Sequence, residues 1–576
     1  MNEFEPTPQQ KDILDWQNNA VVVAGPGSGK TWTLAKKVQQ VIEKCRDYQG
    51  IAAISYTNKA SKELEKRSKQ LCKETKQSFF GTIDSFCSTE IVLSFGKKYL
   101  GYPSERVLIE KVQEANQVKR IREIKESIIN IIEKYSDVTI KQIHEKGICI
   151  YNELDEEDRL YLQERFMGGH FDLNLIGGVA NLILMSSKAC ANYLKAKYRY
   201  IFIDEFQDSD FEQFNLFKRC SELGINSWAV GDFNQSIYSF KMGNPKYMEE
   251  LIGMNSFERF DMNINHRCHP FIQAYADLFL SLQKNEKPTS IPEGKSRIVK
   301  IPIMGPQYEI GKWLNTNLRQ VIDIADVEKQ SNIVLLGRNH ETLEMVSDML
   351  QISHRYHRKL LLDDDRSLGG DILKQLLMIT FNPKGHSCTD FIGLYFLNPR
   401  HRDVADIKKR VKEFSHLFQN ILPQNDQYKQ IEEKFIEIVN MVNLDYQLNN
   451  YTIEALRQLM HNHHLCENFM PFKDSEIQLM TIHSSKGLEF DIVFHLDLYE
   501  DTFPDYRSKG DAIKEREDIN LHYIALTRAK KYVFLLANSR KRAYSKRYGK
   551  YYEHDKEPSP YIIGAIERYQ LSSLDS

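Results

Sequence analysis

The eight residues AGPGSGKT (24–31) set three glycines, a lysine and a threonine behind the apolar run 20–23 and ahead of a helix-like stretch. That composition fits a phosphate-binding loop. Gly25, Gly27 and Gly29 let the backbone turn tightly and aim successive N–H groups at phosphate oxygens, and the N-terminus of the following helix adds positive potential. Lys30 would hold the β- and γ-phosphates, and Thr31 would ligate Mg²⁺. The strict pattern has Gly where this chain has Ala24, so the loop needs corroboration elsewhere. YRYIFIDEFQDSD (198–210) supplies it, because a β-rich apolar run there delivers Asp204 and Glu205 at its C-terminal end. An Asp at a strand tip binds Mg²⁺ directly or through water, and the adjacent Glu can activate the water that attacks a γ-phosphate. Alone, this would be an acidic turn after a strand. With the loop upstream, the two segments read as halves of one nucleotide-hydrolysis site.

Such halves must be held by a sheet. Strand candidates at 20–23, 51–55, 200–203, 227–230, 332–336, 477–480, 492–496 and 533–536 alternate with helix-like segments, as in parallel sheets covered by helices. They fall into one group before about residue 270 and another after about residue 300, with a polar Lys/Pro/Gly stretch at 284–295 between them. Two doubly wound lobes are the simplest architecture. Helical material interrupts each group. At 105–134 the chain is charged and amphipathic, with Ile121, Ile124, Ile128 and Ile131 at helical spacing, which predicts a packed helix with a solvated face. A second helix-rich block runs over 403–468. The cluster HNHHLC (461–466) inside it is a candidate metal site by composition, but its spacing suits neither a zinc finger nor an H-E-x-x-H helix.

Composition bounds the function. A chain of 576 residues should make several domains, and 41% hydrophobic residues suffice for their cores. Lys plus Arg number 77 against 79 Asp plus Glu, so there is no global basic field, and a nucleic-acid partner would have to use a local groove. Nine cysteines are scattered without a C-x-x-C pair, which argues against a zinc ribbon and for free thiols in a reducing compartment. The N-terminal MNEFEPTPQQ is acidic and polar, and no run of about 18 apolar residues occurs. A soluble, cytoplasmic protein with no membrane partner is expected.

The remaining motifs are SYTNKASKEL (55–64), GTIDSFC (81–87), VGDFNQSIYSFKMGN (230–244), NINHRCHP (263–270), QLMTIHSSKGLEF (478–490) and LHYIALTRAKK (521–531). In this order the set resembles the UvrD/Rep/PcrA branch of superfamily one helicases and translocases, over almost the whole chain. MTIHSSKGLEF and VGDFNQSIYSF are its most specific blocks. The resemblance implies an α/β fold of two RecA-like doubly wound parallel-sheet lobes, 1A and 2A, each with a mainly helical insertion, 1B and 2B. Lobe 1A would cover 1–88 and 193–270, 1B 89–192, 2A 271–375 and 472–576, and a short 2B 376–471. It also relieves the flaw at Ala24, since this branch commonly carries AGxGSGKT.

Roles follow from the resemblance position by position. Gln10 matches the glutamine that reads adenine, an amide able to donate and accept at once. Ala24, Gly25, Pro26, Gly27, Ser28, Gly29, Lys30, Thr31 and Trp32 would cradle ATP, with Thr31 and Asp204 on Mg²⁺. Gln235 matches the sensor of the γ-phosphate, and Arg267 and Arg528 the two arginines that reach that phosphate. Such a planar, permanently charged fork stabilises charge on a transferring phosphoryl group. Glu489 matches the acid near the ribose, and His266 the position beside the base. Outside that frame, Arg267 would be a surface arginine, Arg528 one charge of a solvated helix face, and Gln10 an ordinary polar residue. On the DNA side, Tyr56, Thr57, Asn58, Thr82, Ser85 and Phe86, with Tyr238, Phe240, Lys241 and His483, match positions lining a single-strand groove. Hydroxyl, amide and aromatic groups there suit phosphate contact and stacking without sequence preference; the alternative for Phe86 and Tyr238 is a place in the core.

Four departures stand out. His266 replaces a usual Tyr, Trp32 an Arg, Asp84 the usual His of its motif, and Ile519 with Asn520 an Arg pair. The hydrolytic residues are intact, so the resemblance implies an ATP-dependent helicase or translocase stepping 3′ to 5′ on single-stranded or tailed duplex DNA. The second helical block is short and the chain ends near the last motif, leaving no room for a nuclease domain of its own. Compact members with DEFQD and GTIDSF resemble the helicase-like subunit of Gabija-type anti-phage systems, whose partner is an OLD-family endonuclease with a TOPRIM domain. Two other readings stay open: a DNA-stimulated ATPase that senses ends or nucleotides and activates a nuclease, and a structural subunit with a regulatory ATP site.

Overall fold

AVVVA and GIAAI are short apolar runs without polar alternation, the pattern of strands covered on both faces. They form β1 (Ala20–Ala24) and β2 (Gly50–Ile54), almost wholly buried. The computed structural model describes residues 5–56, 58–103, 107–110, 115–237, 244–365, 367–395, 401–420, 425–443, 448–545 and 549–573. In chain order, β3 (Phe79–Gly81), β4 (Leu108–Glu110), β5 (His170–Asp172), β6 (Tyr198–Asp204), β7 (Asn226–Gly231), β8 (Glu258–Met262) and β9 (Ile298–Ile303) follow. The sheet around β1 runs β3-β2-β6-β7-β1-β8, and every pairing in it is parallel. In such a doubly wound sheet, ligands sit outside the carboxyl ends of the strands.

The chain divides into two compact units, one of residues 1–109, 113–306 and 482–576, the other of 110–112 and 307–481. In the first, α1 (Pro8–Asp15), α2 (Lys30–Glu43) and α3 (Asn58–Leu71) accompany the sheet. Leu34, Ala35, Val38, Val41 and Ile42 recur at helical spacing on α2 and join Val22, Ile51, Phe202 and Trp228 in one core. The second unit holds β10 (Ile333–Gly337), β11 (His354–Tyr356) and β12 (Ile477–Thr481), parallel in the order β11-β12-β10. Its helices His401–Gln419, Asn425–Val442 and Asn450–His461 fill most of the predicted helical block, and Leu368–Phe381 and Cys388–Tyr395 precede it. Back in the first unit, β13 (Phe490–His495) and β14 (Ala529–Asn538) continue to β9 in the parallel order β13-β14-β9. An antiparallel hairpin, β15 (Arg540–Ser545) and β16 (Lys550–Asp555), closes the list of strands.

Each strand expected from sequence is present, with ends shifted by at most four residues. The helix expected from 105 begins at Ala115, because 108–110 form β4; residues 104–106 and 111–114 lie outside the described set. Its buried stripe is Ile121, Ile124, Ile128 and Ile132, so Ile132 rather than Ile131 faces the core. Strands β3, β8 and β9 escaped the pattern search for local reasons. FFG is three residues long, ERFDM is charged at an edge, and IVKIPI carries a proline that only an edge strand tolerates. All nine cysteines are free thiols. Among the described residues no group of His, Cys, Asp and Glu is placed to hold a metal ion. In the 461–466 cluster, His461 packs on Tyr428, His463 on Phe381 and Phe418, and Cys466 is buried. Among the described residues no single helix is long and apolar enough to cross a membrane, although the bent pair Leu173–Ser186 and Lys188–Lys197 passes on composition.

Candidate nucleotide-hydrolysis site

The phosphate loop joins β1 to α2. Gly27 and Gly29 sit at φ +68° and +83°, where a side chain is disfavoured, and a Cβ on Gly27 would lie 2.5 Å from Asn265 Oδ1. Ala24 ends β1, fully buried, so a methyl is accommodated where the strict loop pattern has glycine. Gly29 is the N-cap of α2 and supplies no capping side chain, so the first-turn amides remain directed at the loop. Asn265 braces the loop from the segment after β8: its Nδ2 donates to Pro26 O at 2.7 Å, and His266 N donates to Gly27 O at 2.8 Å.

At the tip of β6, Glu205 adopts φ +58°, a strained conformation for a side-chain-bearing residue. That turn presents its carboxylate to Lys30, with Nζ to Oε1 at 2.9 Å, while Gln207 donates to Oε2 at 2.6 Å. Burial opposes the charge on Lys30, but Glu205, Asp204 and Asp232 outweigh it and hold the ammonium above its ordinary range. Burial likewise opposes ionisation of Glu205, yet Lys30 and Lys486 keep its carboxyl far below the usual range. Asp204 is buried, and burial raises it despite Lys30 nearby. The Thr31 hydroxyl and the Asp204 carboxylate are hard oxygen donors of the kind Mg²⁺ takes, so the residues present fit that ion.

The same unit brings residues from the far end of the sequence to this place. Arg528 is 1% exposed; Nη2 donates to Gln235 Oε1 at 3.2 Å and Nη1 to Leu488 O at 3.1 Å. Its Nε is buried without a hydrogen-bond partner, and burial together with the like charge of Arg267 pulls the guanidinium down to about 10. A buried cation with an unused N–H beside a second cation is arranged for an anion. Arg267 itself is half-buried and pairs with Glu489 through Nε at 2.9 Å, while Lys530 holds the other oxygen of Glu489 at 2.8 Å. Gln235 is buried and donates to Asp232 Oδ2 at 2.7 Å.

Sequence reasoning missed several members. Lys486 sits 2.5 Å from Asp208 Oδ2 and 3.5 Å from Glu205 Oε2, and donates to Gln235 O at 3.0 Å. It thus links the acidic strand tip to the expected γ-phosphate sensor. Its position before Gly487, which takes φ +82°, inside the specific block TIHSSKGLEF was the available signal. Asp208, raised to about 6 by burial, is the third acid of DEFQD. Asn520, at one of the departures from the family pattern, donates to Ser236 O at 2.8 Å and so braces the Gln235 turn.

Gln10 is fully buried on α1. Its Oε1 accepts from Thr7 N at 2.9 Å and its Nε2 donates to Ser28 O at 3.1 Å, so it ties α1 to the phosphate loop and keeps one N–H for a base. Trp32 is half-buried at the start of α2, Pro26 and Ser28 are buried, and His266 is exposed. On the DNA side, Tyr56 is half-buried just after β2, and Asn58 opens α3. Thr82 caps α4 (Ile83–Phe86) by accepting from Ser85 N at 3.3 Å, Ser85 is exposed, and His483 lies half-buried in the turn His483–Ser485. Phe86 corrects the expectation: it is 1% exposed and packs on Phe79 and Tyr198, so its ring is a core ring with no open face for a base. Thr57, Tyr238, Phe240 and Lys241 lie outside the described residues.

The model of the UvrD/REP helicase N-terminal domain matches residues 6–254, and that of the UvrD-like helicase C-terminal domain matches 395–540. The chain belongs to the UvrD/Rep helicase family. Its two parallel-sheet α/β lobes are those of this family. Among curated relatives, it is 27% identical to the Gabija protein GajB of Bacillus cereus, covering 92% of this chain and 95% of that protein. It is 22% identical to a probable DNA helicase II homolog of Mycoplasma genitalium, over 92% and 84% of the two chains. To the ATP-dependent DNA helicase Rep of Buchnera aphidicola it is 23% identical, over 91% and 92%.

Proposed function

We propose that this UvrD/Rep-family protein is a DNA-dependent ATPase that steps 3′ to 5′ along single-stranded DNA and serves a partner nuclease in anti-phage defence. The observation that carries the reading is the meeting of Lys30, Glu205, Gln235, Arg267 and Arg528 around one anion-binding site. Lys30 would exchange the Glu205 carboxylate for the β- and γ-phosphates, freeing Glu205 to orient and deprotonate the attacking water. Thr31 and Asp204 would hold Mg²⁺, which supplies neutralisation of the phosphate oxygens. Arg528 and Arg267 would stabilise charge on the transferring phosphoryl group. Gln235, bonded to Arg528 and Asp232, would report whether that group is present, and Glu489 and Gln10 would hold the ribose and base. Tyr56, Thr57, Asn58, Thr82, Ser85, Tyr238, Phe240, Lys241 and His483 are the proposed contacts to the single strand. The lobe and insertion boundaries given from the sequence are part of this reading.

Defence is supported by the long match to the Gabija protein GajB, and a nuclease partner of the OLD/TOPRIM kind is part of the same proposal. The test is strand displacement on duplexes with a 3′ or a 5′ single-stranded tail. Unwinding confined to the 3′-tailed substrate is expected. ATP hydrolysis without displacement of either would replace the motor with the sensor reading.

A further inference from the structure

A chamber of about 10 Å³ lies at the carboxyl ends of β2 and β6, lined by Ser55, Tyr56, Asp204, Glu205 and Gln213 over a floor of isoleucines. That volume matches one water, and a water needs two to four polar partners to stay there. The chamber offers them. Ser55 is 1% exposed, and its hydroxyl has no hydrogen-bond partner among the described residues. A buried hydroxyl left in that state is disfavoured unless something in the chamber pairs with it. Opposite it stand the acidic tip of β6 and the side chain of Gln213, whose Oε1 caps its helix by accepting from Asp210 N. Ser55 is also a junction of the backbone: its N–H donates to Gly81 O at 3.1 Å, and the residue after it opens the segment 56–58.

We propose that the chamber holds one ordered water joining the Ser55 hydroxyl to the Asp204 and Glu205 carboxylates and the Gln213 amide, which makes Ser55 a positioning residue that relays the state of the hydrolysis site to the segment beginning at Tyr56. The relay follows from hydrogen-bond polarity. When phosphates draw Lys30 away, the Glu205 carboxylate on the chamber wall loses its ion-pair partner, and the water turns both its hydrogens to the carboxylates. It must then accept from Ser55, whose hydroxyl rotates to donate, and the end of β2 follows.

This inference rests on the reading of the chain as a DNA-dependent ATPase, and the tests separate the two. A high-resolution crystal structure of the full chain is expected to place a solvent peak within hydrogen-bond distance of Ser55 Oγ and Asp204; a dry chamber overturns the proposal. S55A is expected to lower the ratio of DNA-stimulated to unstimulated hydrolysis about threefold or more, with its melting temperature close to that of the wild type. Q213L should lower the same ratio, and S55A/Q213L no further, because the two groups share one water. An unchanged ratio in S55A, or additive losses in the double variant, overturns the relay. A wild type indifferent to single-stranded DNA would count against the motor reading instead, and the solvent peak would still decide the chamber.

Discussion

Glu205 carries two burdens at once, a left-handed backbone and an ion pair with Lys30, and both sit where phosphate chemistry needs them. The pairing holds Lys30 in place of a substrate, so the two residues should separate by phenotype. Lys30→Ala should lose nucleotide binding and hydrolysis together. Glu205→Gln should bind nucleotide yet hydrolyse it about 10²-fold or more slowly, because a neutral amide cannot take the proton of the attacking water. Single-turnover hydrolysis beside equilibrium binding of a fluorescent nucleotide checks both. Arg528→Lys should not rescue the loss seen in Arg528→Ala, since an ammonium lacks the fork that now spans Gln235 and Leu488. At this scale the sequence was most legible where residue type and spacing are dictated by phosphate. The glycines, Lys30, Asp204 and Glu205 are recoverable from mechanics alone. Lys486 and Asn520 were not, because a lysine in a turn or an asparagine within a helix has many uses, and only its partners across the fold select one.

At the scale of elements, α4 joins two accounts of the motif GTIDSFC. Phe86 reads from sequence as a stacking ring or as core, and contact with Phe79 and Tyr198 decides for core. Phe86→Leu should therefore lower stability by about 1–2 kcal/mol, read as a denaturant midpoint, and leave single-strand affinity within about twofold. A large affinity loss at unchanged stability would return the ring to the groove. Asp84, on the same helix, is raised to about 6, first by burial and then by Asp210, with Lys125 working the other way. A carboxyl raised in the folded state contributes stability that is fully present below its ordinary pKa and lost as pH rises through the folded value. Asp84→Asn should thus match the wild type near pH 4 and melt higher above about pH 6, as thermal denaturation across that range would report. Strands were legible where both faces are covered, as in β1 and β2, and illegible at edges. A charged ERFDM or a proline in IVKIPI satisfies an edge that the alternation rules do not describe.

For the whole molecule, the chemistry of the site depends on sequence-distant segments being held in one compact unit, since residues 482–528 complete what 24–31 and 204–205 begin. No periodicity announces that closure. It became legible only through the ordered set of motifs, which resemble a known family, and the family models then match 6–254 and 395–540. The near-zero net charge fits this picture, because binding to DNA must then be local. The salt dependence of single-strand affinity should accordingly be modest, corresponding to a few phosphate contacts at a slope of about 0.7 each. A steep slope would point to a wider basic surface. The central claim is that the site hydrolyses ATP in response to DNA. The most direct test is steady-state ATP hydrolysis by the purified chain with and without single-stranded DNA, beside Lys30→Ala. The account predicts hydrolysis that rises about tenfold or more with DNA and vanishes in the variant. A wild-type rate indifferent to DNA, or a rate that survives in Lys30→Ala, would contradict it.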